Sequence, residues 1–69
     1  MEIIKLREDY IKLGQALKAA NLVENGVEAK FVIQDGLVYV NGKQELQRGK
    51  KLVAGDLVEF QGNTIKIEK

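Results

Sequence analysis

The stretch Val38-Tyr39-Val40-Asn41-Gly42 constrains this chain more than any other. Asn-Gly after alternating apolar residues calls for a two-residue hairpin turn, because both turn positions need positive φ. Upstream, apolar residues recur at helical spacing; from Leu37 onward they alternate, with Val38 and Val40 pointing one way and Leu37 and Tyr39 the other. A helix must therefore give way to a sheet at Gly36, which supplies the left-handed position that closes a helix.

The rest of the chain is read outward from that junction. Asn25, followed three residues later by Glu28, resembles a capping box and predicts a helix over about 26–34 that buries Ala29, Val32 and Ile33. Phe31 is expected to join the core from the flank. An earlier helix is predicted over about 10–20, with Asp9 as its N-cap and Asn21 as its stop. Tyr10, Leu13, Leu17 and Ala20 would form its buried face, Lys12, Gln15 and Lys18 a polar stripe, and Glu8 and Lys12 an i,i+4 pair. Ile3–Leu6 reads as an edge strand. Lys43 to Leu46 returns from the hairpin and leads to the loop Arg48-Gly49-Lys50-Lys51. Gly55-Asp56 and Gln61-Gly62-Asn63 then turn the chain into strands 57–60 and 64–67. The expected fold class is α+β, two helices packed on a small, mostly antiparallel sheet, with residues 1–69 forming one domain.

Composition removes several classes of function. With 45% hydrophobic and 30% charged residues the chain is a globular domain and not a disordered tail. It has neither Cys nor His, so disulfides are excluded and the usual zinc ligands are missing. Without them, and with no Ser, a general base would have to come from carboxylates that already serve as caps and turn residues. Gly49-Lys50-Lys51 lacks the spaced glycine and the Ser or Thr of a phosphate-binding P-loop. The sequence thus predicts no enzyme, no cofactor, no metal and no small-molecule substrate. The charged N-terminus and the lack of a long apolar run predict no membrane association and a cytoplasmic location.

Net charge is only +1, but it is unevenly spread. Residues 29–51 hold Lys30, Lys43, Arg48, Lys50 and Lys51 against Asp35 and Glu45. Three cations within four positions around Gly49 repel one another, a modest cost that an anionic ligand relieves. The candidate nucleic-acid-binding residues are Lys12, Lys18, Lys30, Lys43, Arg48, Lys50 and Lys51, with Gln15 beside the first two. No pair of aromatics marks a sheet-based RNA reader, so recognition is expected to rest on shape and backbone charge.

Lys12-Leu13-Gly14-Gln15-Ala16-Leu17-Lys18, Gly26-Val27-Glu28-Ala29-Lys30, Ile33-Gln34-Asp35-Gly36-Leu37-Val38-Tyr39-Val40-Asn41-Gly42 and Gly55-Asp56 together resemble the S-four RNA-binding domain, or alpha-L motif. The resemblance covers about residues 11–60 and lies nearest the small free-standing bacterial members of the YaaA/YbcJ type. It implies binding of structured RNA, of the rRNA or tRNA type, by the two helices and the loop beside the hairpin, with ribosome association and no chemistry. Two departures stand out. Many members open helix two with a Ser-Arg pair, where this chain has Asn25 and Gly26, and helix one with Arg-Leu-Asp, where it has Lys12-Leu13-Gly14. The alternative reading is a protein-interaction module in which an edge strand, Ile3–Leu6 or Thr64–Ile67, extends a partner's sheet.

Overall fold

The computed structural model describes all of residues 1–69. In chain order the elements are strands β1 (Glu2–Lys5) and β2 (Ile11–Lys12), helices α1 (Leu13–Ala19) and α2 (Gly26–Gln34), and strands β3 (Val38–Val40), β4 (Lys43–Gln44), β5 (Lys51–Leu52), β6 (Leu57–Phe60) and β7 (Asn63–Glu68). Five strands form one sheet in the order β1-β7-β6-β3-β4, antiparallel except for the parallel β1/β7 pair. β2 and β5 make a separate two-residue antiparallel ladder.

Both tight hairpins use the turn their residues demand. Asn41 (φ 52) and Gly42 (φ 81) join β3 to β4, and Gln61 (φ 49) and Gly62 (φ 78) join β6 to β7. Positive φ at both positions is the turn whose twist matches that of paired strands. Asn41 also works beyond its own turn. Its side-chain amide donates to Asp56 Oδ1 (3.0 Å) and its Oδ1 accepts from the Leu57 amide (2.9 Å). Asp56 Oδ2 in turn accepts from the Val53 amide (2.8 Å), so one polar clasp fixes two turns.

α2 has the predicted bounds. Asn25 Oδ1 accepts from the Glu28 amide (2.9 Å), while the Glu28 carboxylate reaches back to the Glu24 amide (2.6 Å). At its other end the Gly36 amide donates to Ile33 O and the Leu37 amide to Val32 O, each at 3.1 Å, around Gly36 at φ +78. α1 closes the same way through Asn21 (φ 59), whose amide donates to Lys18 O while Leu22 N donates to Leu17 O.

The helices lay Leu13, Ala16, Leu17, Ala29 and Ile33 on the sheet face formed by Val38, Val40, Val58, Phe60, Ile65 and Ile67, and Val23 and Leu52 complete the core. Every fully buried side chain is apolar, so the core leaves no polar group to satisfy.

Several expectations are corrected, among them the burial of Val32, which is only half-buried against the core. α1 begins at Leu13, not near Tyr10, and its N-cap is Lys12. Asp9 lies outside the helix with its carboxylate 3.6 Å from Lys69 Nζ, and because Lys12 sits in a strand it forms no i,i+4 pair with Glu8. Tyr10 and Phe31 are 40% and 60% exposed and stand outside the core. β7 is an interior strand between β1 and β6, which leaves the N-terminal strand β1 as the open edge on that side.

Candidate nucleic-acid interface

The start of α1 explains how distant cations meet. The first amides of a helix have no partner within it and need acceptors from elsewhere. Here Leu13 N donates to Lys50 O (2.8 Å) and Gly14 N to Arg48 O (3.1 Å). The preceding residues pair as a ladder, Ile11 with Leu52 and Lys12 with Lys51. Buried Leu52 anchors that ladder in the core. The basic loop is thereby stitched by its backbone to the first turn of α1. Gln15 Oε1 completes the cap by accepting from the Lys12 amide (3.3 Å).

This stitching forms a cleft of ≈ 350 Å³ between the two helices and the loop. Lys12, Gln15, Lys18 and Arg48 line it, over a floor of Gly14, Gly26, Ala29 and Gly49. Gly14 lets the loop come close: a Cβ there would stand 3.1 Å from Arg48 Cγ. Gly26 leaves its side open, since a Cβ there would meet nothing within 4 Å.

The electrostatics of the cleft are one-sided. No carboxylate lines it. The protein has two ion pairs, Lys66–Glu68 (3.8 Å) and Lys69–Asp9 (3.6 Å), and neither involves a cation of the cleft. Lys12, Lys18 and Arg48 therefore face solvent with their charge uncompensated. Such a concave surface of one sign concentrates anions and suits a phosphate backbone.

The other candidate residues are dispersed. Lys30 is exposed on α2, next to Ala29 of the cleft floor. Lys43 and Lys50 line a separate depression together with Glu45 and Asp56, where two carboxylates offset the two ammonium groups. The Lys51 ammonium lies 4.8 Å from the centre of the Tyr10 ring, within cation–π range. Sequence reasoning grouped Lys50 and Lys51 with Arg48 as neighbours in the chain, yet the loop turns them to different surroundings. The glycine floor at Gly14 and Gly26 left no positive signal in the sequence, because its contribution is the absence of a side chain. No group of three or more acidic residues is arranged to hold a metal ion, and no helix is long and apolar enough to cross a membrane.

Comparison with known proteins agrees with this architecture. The profile of the S4 domain family matches residues 4–68. A Bacillus subtilis (strain 168) relative named "Probable ribosome maturation protein RlbA" is 39% identical over 59 residues, covering 86% of this chain and 83% of the relative. An Escherichia coli (strain K12) relative named "Putative RNA-binding protein YbcJ" is 33% identical over 61 residues, covering 88% of this chain and 87% of the relative. The solution structure of YbcJ from E. coli, described as revealing an alpha-L motif involved in RNA binding, superposes with a TM-score of 0.76 at 31% identity, over 100% of this chain and 89% of that one. The crystal structure of the 30S ribosomal protein S4e from Thermoplasma acidophilum shares the fold, with a TM-score of 0.70 at 22% identity over 84% of this chain and 31% of that one.

Proposed function

Because the chain belongs to the S4 domain family, we propose that it is a non-catalytic RNA-binding protein that docks structured RNA, of the rRNA or tRNA type, in the cleft between its two helices and the basic loop. One observation carries this reading: Lys12, Lys18 and Arg48 converge on a concave surface with no carboxylate among its lining residues and no ion pair to any of them. The names of the bacterial relatives, which refer to ribosome maturation and RNA binding, support the same class of partner.

In this mechanism the three cleft cations contact successive phosphates and Lys30 extends the contact along α2. Lys50 and Lys51 flank the site, and Lys43 is peripheral because Glu45 and Asp56 share its depression. The lining of the cleft contains no aromatic ring, so this surface reads backbone shape and leaves base identity largely unread. The protein works in the cytoplasm, with residues 1–69 acting as one binding unit.

Binding of a fluorescent rRNA-derived stem–loop, followed by anisotropy across a salt series, tests the proposal. Neutralising about four phosphates gives a log–log salt slope of about −3 to −4. Arg48→Glu combined with Lys18→Glu is expected to weaken binding at least tenfold and to flatten the slope. Lys43→Glu is expected to change affinity less than about threefold, in line with the small effect of a rim charge. A slope near zero, or equal losses from the two variants, would falsify docking in the cleft.

A further inference from the structure

A second groove, of ≈ 490 Å³, runs beside the cleft between the end of β1, the segment 7–11 and α1. Gln15 and Lys18 line both, so the two adjoin along that side of α1. The groove differs from the cleft in the chemistry of its lining. It combines cations, Arg7 and Lys18, with an aromatic ring, Tyr10, and with apolar surface from Ile11. Glu8 is its one carboxylate. Tyr10 is 40% exposed and takes no part in the core, while the Lys51 ammonium sits 4.8 Å from its ring centre. An aromatic ring at the surface, anchored by a cation and flanked by cations that lack ion-pair partners, is the composition that binds single-stranded nucleic acid: bases stack on the ring and phosphates follow the positive charge.

We infer that this groove takes an unpaired nucleotide flanking the RNA helix held in the cleft, with its base against Tyr10 and its backbone along Arg7 and Lys18. The inference rests on the RNA-binding reading above and extends it from duplex backbone to single strand. Cleft and groove then divide the labour. The cleft, with no ring among its lining residues, accepts paired RNA by charge and shape, and the groove accepts the place where pairing ends. The natural target becomes a junction between helix and single strand, such as a bulge or the base of a stem.

The test compares a short stem–loop RNA with the same stem–loop carrying a single-stranded adenosine tail. Stacking of one base on an exposed ring is expected to raise affinity about five- to tenfold. Tyr10→Leu, which keeps an apolar side chain, is expected to abolish that gain and to leave affinity for the tail-less RNA within about twofold. Tyr10→Phe restores the gain. In proton NMR the Tyr10 ring resonances move upfield when the tail is present. A gain that survives in Tyr10→Leu, or no gain in the unaltered protein, overturns the inference. If the tail-less stem–loop fails to bind at all, it is the cleft reading that fails. Titration with free oligoadenosine then decides the groove by itself: ring shifts at Tyr10 support it, and shifts confined to the cleft residues Lys12, Gly14, Arg48 and Gly49 overturn it.

Discussion

Gly26 is the residue at which this chain departs most usefully from its family resemblance. It opens α2 and forms part of the cleft floor, with free space where a side chain would begin. Gly26→Arg is therefore expected to be accommodated without strain and to place a further cation beside Lys12, Lys18 and Arg48. Affinity for a stem–loop RNA should rise several-fold, and the salt slope should steepen by about 0.7 to 0.9, the increment for one more phosphate. The thermal midpoint should hold or rise, since glycine is the poorer helix residue by up to about 1 kcal/mol. Anisotropy over a salt series and a thermal melt measure both effects. Gly14 presents the opposite situation. Its Cβ would crowd Arg48, so the helix carries a glycine there in exchange for a close approach of the loop.

At the scale of elements, the two helices differ in where their ends are specified. α2 is delimited by neighbours in sequence, Asn25 and Glu28 at one end and Gly36 at the other, which is why its bounds were legible from residues alone. The end of α1 was legible for the same reason at Asn21. Its beginning was not, because the acceptors for its first amides are carbonyls of Arg48 and Lys50, far along the chain. Periodicity through Tyr10 was compatible with a longer helix, and the pairing of Ile11 and Lys12 with β5 removes them, and with them Tyr10 before them, from it. The site divides similarly. The helical spacing that puts Gln15 and Lys18 on one side could be read in advance, whereas the approach of Lys12 from β2, the arrival of Arg48 and the separation of Lys43 and Lys50 depend on tertiary pairing. The exposure of Phe31 has a direct consequence for stability. Leu17→Ala, in the fully buried face of α1, is expected to cost about 2–5 kcal/mol in urea denaturation, and Phe31→Ala less than about 0.5 kcal/mol. A comparable loss at Phe31 would return it to the core.

At the scale of the whole molecule, a net charge of +1 coexists with a strongly cationic cleft because acidic residues are placed elsewhere, along β6 and β7, in turns and beside Lys43 and Lys50. Near-neutrality limits indiscriminate attraction to nucleic acid, and the local patch supplies attraction where shape also fits. A protein of 69 residues has a small core and correspondingly modest stability. A ligand that binds only the folded form stabilises it by about 2.7 kcal/mol at a hundredfold excess over Kd, a large fraction of the total for such a chain.

The bonds from Leu13 and Gly14 to the loop carbonyls make these two amides reporters of the assembled site. They can exchange their hydrogens with solvent only when the loop leaves the helix, so their deuterium uptake measures how often the proposed binding surface comes apart. In the free protein they should exchange faster than the core amides of β6, whose opening requires the sheet to unfold. Bound stem–loop RNA should slow them further, by more than it slows β6. Equal slowing at both places would mean that the loop and the core open as one unit, and that the proposed RNA surface exists whenever the fold does.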